Sequence, residues 1–562
     1  MKKHITRLLF AALLLLALCI GASAAGTSGK CGPSAYWSFD SSTGTLTISG
    51  SGAMNDYEYG NDYPWMDYRD SIQTIVIGDQ ITQIGRYAFT GTACSTIKFG
   101  KNVRSIGERA FLECRNLNGD LTLPDSVQTI GAGAFQGCEK LSGDLTIPDS
   151  VVEIGEGAFR DCKNLNGTLT LGKNLRTIGK KAFSGCAFTG SLTIPEGITE
   201  IAIGTFSSSR SSGMFTGKLT LPSTLKTIGA SAFSYTDFSG ELLIPDGVTS
   251  IGANAFKECD GFGGTLSLPD SVKTVGEWAF YLCKGFTGLK LSAGLTKIEK
   301  LSFAHMYGLR TEVVIPEGVT EIGESAFQCS HMPSVRFPST LKKIGKEAFY
   351  FSLNCKIAFP DGLEVIEDEA FALCNVKSAV ILPASIKSIG KKAFDSDWSY
   401  GKHNDIPLGA YFLGAAPQLV GTGNANCSFP SDWTLNYLPG TSGWMGDTYE
   451  GYKIVPWDGE TRWDNLYTDD FGYRDNKWNK IETSWSVNTD TGKITLTDDL
   501  NEGCAVAVSY DTDGRVTSIG VLRTKTDFVV LNLQDTCRLF LLNASSAPRL
   551  NTPVTINDYL PT

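Results

Sequence analysis

Cysteines are the residues of this chain whose spacing first suggests chemistry. The 562 residues include 15 cysteines, and many of them follow a phenylalanine at a fixed distance. Seven cysteines lie three residues after the phenylalanine: Cys114, Cys138, Cys162, Cys186, Cys259, Cys283 and Cys374. Cys329 lies two residues after it. In a stacked repeat, equivalent positions lie about 5 Å apart, which admits disulfides. The alternative is a row of small, buried and reduced side chains, which the occurrence of Ser or Thr at the same position favours.

Acid–base and metal chemistry receive little support from the other reactive residue types. No C-x-x-C pair of the kind found in zinc sites occurs. Histidine, the commonest general base, is present beyond residue 24 only as His305, His331 and His403. The adjacent pairs Asp469-Asp470 and Asp498-Asp499 point to opposite faces of any strand. We therefore predict no catalytic residue, no metal site and no cofactor.

A repeat positions most of these residues. The pair Ala-Phe, or a close variant of it, recurs 14 times, 22 to 24 residues apart with one interval of 27. The phenylalanines are Phe89, Phe111, Phe135, Phe159, Phe183, Phe206, Phe233, Phe256, Phe280, Phe303, Phe327, Phe349, Phe371 and Phe394. A period in the low twenties is typical of a leucine-rich-repeat solenoid.

One copy, LTLPDSVQTIGAGAFQGCEKLSG from Leu121 to Gly143, shows how each unit is built. Its first three residues alternate apolar and polar, which predicts a short half-buried strand that Pro124 ends. Val127 to Ile130 predicts a second extended piece, and Ala-Phe-x-x-Cys predicts one turn of α- or 3₁₀-helix. Because one unit cannot bury its own apolar face, we predict a stacked solenoid of mainly β character with about 14 units.

The middle residue of each first strand is expected to point away from the core. In the N-terminal half of the repeat these residues are mostly threonines, which β-propensity alone explains. The C-terminal half mixes aliphatic and cationic side chains at the same position: Leu243, Lys290, Val314, Arg336 and Ile381. Solenoids bind ligands on such continuous faces, so we predict the binding residues here.

The blocks L-x-I/L-P, V-x-x-I-G and A-F-x-x-C resemble the BspA-type leucine-rich repeats of bacterial surface proteins. The resemblance covers roughly residues 70 to 400, with departures such as Ala202, which follows Ile201 where glycine is usual. It implies a non-enzymatic, adhesin-like protein that is secreted or displayed on the cell surface. It also implies an extracellular protein ligand, from a host matrix or from another microbe.

The regions outside the repeat complete the predicted domain organisation. Residues 1–24 have the basic start, apolar stretch and Ala22-Ser23-Ala24 end of a secretory signal. We predict capping modules at 25–66 and 401–457 around a solenoid at 67–400, because the ends of a solenoid must be covered. A linker at 458–487 then leads to a small antiparallel β-sandwich at 488–562.

Six tryptophans lie close together near the C-terminal end of this chain: Trp433, Trp444, Trp457, Trp463, Trp478 and Trp485. Exposed tryptophans can stack on sugar rings, which makes Trp444, Trp457 and Trp463 candidate glycan contacts. Packing inside a capping module is the alternative explanation.

Charge and hydropathy narrow the classes of partner. The formal net charge is −10, which argues against nucleic acids and anionic membranes. Beyond the signal no apolar run reaches the 18 residues of a membrane span. We therefore predict a secreted scaffold, free or associated with the cell wall, that binds an extracellular protein. The alternatives are a glycan-binding accessory protein and a cell-envelope structural protein without a ligand.

Overall fold

The computed structural model describes residues 27–60, 63–208, 214–353, 357–374, 380–395, 409–420, 428–430 and 433–457, followed by separate strands up to residue 555. The chain divides into two compact units, Met1–Pro456 and Trp457–Thr562. The predicted signal at residues 1–24, His403 and Trp463 lie outside the described residues.

The first unit is a β-solenoid of about 14 coils, which confirms the predicted fold class. Most coils consist of a first strand, a second strand and a turn segment around the Ala-Phe pair, and the coils of Phe135 and Phe371 lack the first strand. We call the stack of first strands ladder 1. Its strands are Thr74–Ile77, Thr96–Lys98, Leu145–Thr146, Leu169–Thr170, Leu192–Thr193, Leu219–Thr220, Gly240–Leu243, Phe262–Ser267, Phe286–Lys290, Val313–Val314, Val335–Arg336 and Val380–Leu382.

The second strands form a more regular stack, ladder 2. Its strands are Ile81–Ile84, Ser105–Ile106, Thr129–Ile130, Glu153–Ile154, Thr177–Ile178, Glu200–Ile201, Thr227–Ile228, Ser250–Ile251, Thr274–Val275, Lys297–Ile298, Glu321–Ile322, Lys343–Ile344, Val365–Ile366, Ser388–Ile389 and Gln418–Leu419. Ladder 2 is divided into sheets of six, four and six strands, and Gly52–Ala53 is one of the six strands of the first sheet. Between residues 145 and 336, ladder 1 forms sheets of only two or three strands.

Parallel pairing in register places equivalent residues of neighbouring coils on top of each other. In ladder 2, for example, Ile154 pairs with both Ile130 and Ile178. The repeat phenylalanines form a continuous internal stack in the same way. Phe159 is fully buried, and its ring lies 5.3 Å from that of Phe135 and 5.4 Å from that of Phe183. Each coil therefore buries its apolar face against its two neighbours.

The turn segments differ from the predicted helical turn. The Phe111 N–H donates to Ala134 O of the next coil at 2.8 Å, whereas the Leu112 N–H donates to Arg109 O of its own coil at 3.1 Å. Successive backbone N–H groups thus donate alternately to the next coil and to their own coil. This alternation prevents the continuous hydrogen bonding of a helix. Left-handed residues two positions before and after the phenylalanine, such as Gly133 and Gly137 with φ of 60° and 72°, also interrupt a helix. Among the described residues, the single 3₁₀ helix is Met66–Tyr68.

The N-terminal end of the stack is closed by strands Ser28–Lys30, Ala35–Asp40 and Thr45–Gly50, which form an antiparallel sheet. The last of these pairs in parallel with Thr74–Ile77 and so begins ladder 1. Trp65 is fully buried, stacks on Phe89 at 5.4 Å and donates its indole N–H to Ala88 O at 3.0 Å. A tryptophan thus covers the first ring of the phenylalanine stack.

At the other end, ladder 1 continues into Gly409–Phe412, Thr434–Tyr437 and Tyr452–Pro456, with Thr448–Tyr449 antiparallel at the edge. Phe429 stacks on Phe394 at 5.2 Å, and Trp433 packs on Phe429 at 5.7 Å. The aromatic stack therefore extends past the last repeat and ends on a second tryptophan.

The second unit contains two antiparallel sheets, as predicted for the C-terminal domain. One consists of Trp485–Asn488, Lys493–Leu496 and Phe528–Val530, and the other of Val516–Leu522, Cys504–Tyr510, Thr536–Leu542 and Val554–Thr555. Within the described residues of both units, no helix is long and apolar enough to cross a membrane.

Candidate binding surface

The outward side of ladder 1 carries the residues that the sequence nominated for binding. Parallel register aligns Leu243 with Ser267 and Ser267 with Lys290. Farther along the stack, Val314 is aligned with Arg336, and Ile381 is bridged to Ala358. The five nominated residues thus occupy one side of the solenoid, but polar or small residues separate some of them. They form a mixed surface rather than one apolar patch.

Two aliphatic side chains on this surface are in contact with water although their neighbours in the strand are buried. Leu243 is 66% exposed and Val314 is 45% exposed, whereas Leu242 and Val313 are buried. Ile381 is half-buried. Exposed aliphatic residues on paired strands add nothing to the core, so they are available to a ligand.

The cations on the same surface differ in their pairing. Arg336 donates to a carboxylate oxygen of Glu312 at 2.6 Å, and both side chains are partly exposed. Exposed pairs of this kind contribute little to stability, so Glu312 mainly orients the guanidinium. Lys290 is exposed at the end of its strand. In the N-terminal half, the exposed threonines pair with one another, as Thr146 does with Thr170.

The outward side of ladder 2 carries alternating charges that the sequence analysis overlooked. Lys297 lies 3.9 Å from Glu321, Glu321 lies 3.8 Å from Lys343, and Lys343 lies 2.7 Å from Glu367. These charges neutralise one another from coil to coil. Part of the signal was present in the sequence, because Lys297, Glu321 and Lys343 precede the ladder isoleucine in three successive coils, whereas Glu367 follows its isoleucine.

The repeat cysteines have a role that sequence reasoning missed. Ten cysteines of the first unit form no disulfide, and all of them but Cys329 are buried. The seven that lie three residues after a phenylalanine each donate to the carbonyl oxygen of the preceding coil's phenylalanine, as Cys162 does to Phe135 at 3.1 Å. Ser330 donates to Phe303 in the same way at 2.7 Å. The cysteines are therefore hydrogen-bond donors as well as small fillers.

This donor role explains why serine replaces cysteine in some coils. In the coil of Phe327, Cys329 falls one position early, in the left-handed region with φ of 54°, and Ser330 takes the donor position. Burial raises the pKa of Cys259 to about 12, so its thiol stays protonated and cannot act as a nucleophile at neutral pH.

Two of the tryptophans nominated for glycan stacking, Trp444 and Trp457, are buried. Trp444 is 8% exposed, stacks on Tyr437 at 5.3 Å and donates to Gly414 O at 3.2 Å. Trp457 is 5% exposed. The ring of Trp444 is covered by protein, so packing in the cap, the alternative explanation, accounts for this residue. Trp463 lies outside the described residues.

No metal-binding cluster of three or more His, Cys, Asp or Glu side chains is present in the part of the chain that the structure describes.

Comparison with known proteins identifies the repeat. Residues 66–143, 140–262, 264–377 and 352–402, more than half of the chain, match the family described as BspA type leucine rich repeat region. No curated protein matches the chain significantly.

Solved bacterial structures resemble the chain at low identity. A leucine-rich repeat protein from Bacteroides ovatus is 21% identical with a TM-score of 0.47, over 75% of this chain and 98% of its own. One from Eubacterium ventriosum is 20% identical with a TM-score of 0.36, over 68% and 97%. A leucine rich cell surface protein from Faecalibacterium prausnitzii is 24% identical with a TM-score of 0.34, over 57% and 90%.

Proposed function

Since this chain belongs to the BspA-type leucine-rich repeat family, we propose that it is an exported, non-enzymatic scaffold that binds an extracellular protein. The ligand belongs to a host matrix or to another microbe. The protein acts outside the cell, either free or associated with the cell wall. The solenoid at residues 67–400 carries the site, and the modules at 25–66 and 401–457 cap its ends.

The single observation that supports this proposal most is the 66% exposure of Leu243 on a paired strand. Leu243 lacks the burial that its strand neighbour Leu242 has, so a partner that covered its side chain would gain hydrophobic free energy. Val314 repeats the feature on the same side of the solenoid, next to the oriented guanidinium of Arg336. Arginine and aliphatic side chains together suit a protein interface, in which arginine is a frequent anchor.

The area available on ladder 1 also fits a protein ligand. A standard interface buries about 800 Å² on each partner. From Leu243 to Ile381 the solenoid presents seven coils, which extend for roughly 30 Å at the spacing of parallel strands. Loops on both sides of the strands widen this surface enough for a folded partner.

The test is a binding screen of the mature full-length protein against purified extracellular-matrix proteins. The double variant Leu243→Asp/Val314→Asp is expected to weaken any interaction found at least tenfold, or about 1.4 kcal/mol. The matched control is Thr170→Asp/Thr193→Asp, which adds the same charges to the same ladder in the N-terminal half. Equal loss in both variants, or no loss in either, would contradict the proposed position of the site. If no matrix protein binds, the proposal of a host ligand fails.

A further inference from the structure

A row of partly exposed aromatic side chains lies along the turn segments in the C-terminal half of the solenoid. We call it the aromatic stripe, and it consists of Tyr235, Trp278, Tyr281, His305, Tyr307, His331 and Phe351. Six of its rings contact one another. Within a coil the ring centroids are 4.6 Å apart for Trp278–Tyr281 and 5.5 Å apart for His305–Tyr307. Between neighbouring coils they are 5.1 Å apart for Tyr281–His305, 5.4 Å for Tyr307–His331 and 5.1 Å for His331–Phe351. Tyr235 is joined to the row through the ammonium of Lys257. The stripe is separate from the outward side of ladder 1.

The fold does not require aromatic rings at these positions. Two residues after the repeat phenylalanine, earlier coils have Glu113, Gly137 and Asp161, whereas later coils have His305 and Phe351. The internal phenylalanines are fully buried and stack nearly parallel, but every stripe residue retains exposed surface. The stripe therefore adds aromatic surface to coils that are already closed.

The backbone at several of these positions is left-handed. Tyr235, Trp278, His305 and Phe351 have φ of 61°, 60°, 60° and 52°. Glycine occupies the equivalent left-handed position in coils such as that of Gly137. Other coils hold Arg109, Glu113 and Leu282 in the same left-handed region. The positive φ is therefore a feature of the repeat, and only the aromatic side chains distinguish the stripe.

The charged groups beside the stripe are largely occupied by the protein itself. The Lys257 ammonium lies 5.6 Å from the ring of Tyr235, 5.0 Å from that of Trp278 and 5.6 Å from that of Tyr281. A cationic ligand would have to displace this ammonium. Lys284 is paired with Asp260 at 2.6 Å.

The two imidazoles add no charge to the surface. Burial lowers the pKa of His305, and the nearby His331 and Lys284 lower it further. Burial and Arg310 likewise lower the pKa of His331. The imidazoles are neutral at pH 7. The neighbouring cations already contact aromatic rings, backbone carbonyl oxygens or Asp260, which favours an uncharged ligand. His305 Nδ1 and the Tyr307 hydroxyl are 2.6 Å apart, and this contact fixes polar groups within the row that a ligand hydroxyl can meet.

We propose that the aromatic stripe binds a linear, uncharged polysaccharide by stacking sugar rings on its exposed aromatic surface. The C–H faces of a pyranose are apolar and its edges carry hydroxyls, which suits rings interspersed with imidazole, phenol and ammonium groups. The shape agrees as well, since the stripe is one or two side chains wide and spans six coils, roughly 25 Å at the spacing of parallel strands. That width is too small for a standard protein interface of about 800 Å² per partner.

The stripe predicts how affinity depends on the length of the glycan. Successive coils repeat at about the advance of one sugar unit in an extended chain, so an oligosaccharide gains a ring contact with each coil it covers from Trp278 to Phe351. The coil of Lys257 separates these rings from Tyr235. Affinity is expected to rise with length and to level off at about six units, when the six coils are covered. A pocket for a single sugar or a chain end would show no such rise.

The experiment uses the mature full-length protein and affinity electrophoresis in gels containing xylan, mixed-linkage β-glucan, glucomannan or dextran. Oligosaccharides of two to eight units from a retaining polysaccharide then serve in calorimetry. We expect Trp278→Ala and His331→Ala each to weaken binding at least tenfold. If Trp278→Ala does not fold, His331→Ala still tests the proposal, because His331 is exposed and its substitution leaves the core unchanged. The control Leu243→Asp/Val314→Asp is expected to bind the glycan as the unaltered protein does.

Three results would overturn the proposal. The first is retention by none of the four polysaccharides. The second is glycan binding that survives both stripe variants, or that the ladder 1 control abolishes. The third is binding of an extended proline-rich peptide to the stripe in place of any glycan, which would assign the aromatic row to peptide recognition.

Discussion

The thiol of Cys138 donates a hydrogen bond to the carbonyl oxygen of Phe111, one coil earlier, at 3.2 Å. The same oxygen accepts the backbone N–H of Cys114 in its own coil at 3.3 Å. A carbonyl oxygen has two lone pairs, and the two bonds use both of them. The cysteine thus connects neighbouring coils at the position where the phenylalanines stack.

This contact predicts which substitutions of the repeat cysteines are tolerated. Cys138→Ser should retain most of the free energy of unfolding, because Ser330 already donates at the equivalent position. Cys138→Val removes the donor and should cost about 1 kcal/mol, since the acceptor keeps one of its two bonds. Urea denaturation of both variants measures the difference. A valine variant as stable as the serine variant would show that the thiol acts only as a filler.

Burial of the thiols predicts low reactivity in the folded protein. Without denaturant, a thiol-specific reagent should modify few of the repeat cysteines. In urea, the same reagent should modify all of them. Cys329 is partly exposed, unlike the nine buried cysteines of the first unit, so it should react before them. Rapid modification of several thiols in the native state would contradict this, and so would thiols that stay unreactive in urea without a reductant, because that indicates disulfides.

The same burial predicts a loss of stability at alkaline pH. Burial raises the pKa of Cys259 from 9.0 to about 12 and also raises the pKa of Cys283. Below pH 9 the thiols are protonated in both states, so their contribution is fully present. Above it the unfolded chain loses protons that the folded chain keeps, and stability falls until the pH passes the folded-state pKa.

The measurement is the free energy of unfolding between pH 8 and pH 10, in the presence of a reductant. The decline should be shallower in Cys138→Ser/Cys162→Ser, which has two fewer ionisable thiols. Buried tyrosines act in the same direction, but their contribution begins near pH 10, as for Tyr63, whose pKa burial raises from 10.0 to about 12. An identical pH dependence in both proteins would refute the thiol origin.

The phenylalanine stack predicts a large and local effect of truncation. Phe159→Ala should cost about 3–5 kcal/mol, because the ring is fully buried and contacts Phe135 and Phe183. In a solenoid each coil contacts only its neighbours, so hydrogen exchange should increase mainly in coils near residue 159. A uniform increase across the whole solenoid would contradict this nearest-neighbour account.

The sequence predicted the parts of the structure that depend on spacing. The interval between Phe135 and Phe159 is enough to predict stacked coils. The position of Cys138, three residues after Phe135, is enough to predict that its side chain lies in the core of the solenoid. The alternation of Leu121, Thr122 and Leu123 correctly indicates which side chains are buried, but the strand predicted at these three residues does not form. These features follow from periodicity, which a single sequence reports directly.

Other features depend on contacts between coils, which spacing alone does not reveal. The turn segment around Phe111 suits a helix locally, but its N–H groups bond to the next coil. Trp444 carries the residue type of a sugar platform, yet Tyr437 and Gly414 cover it. The aromatic stripe was missed because Trp278 and His331 occupy different positions in their repeats and become neighbours of the same row only through Tyr281, His305 and Tyr307.

The central claim is that ladder 1 binds a protein, and hydrogen-exchange footprinting of the complex tests it most directly. With a matrix protein identified in the screen, the account predicts new protection in Gly240–Leu243, Phe286–Lys290 and Val313–Val314, and no new protection in the threonine strands Leu145–Thr146 and Leu169–Thr170. Protection confined to the second unit, or to the strands of ladder 2, would contradict it.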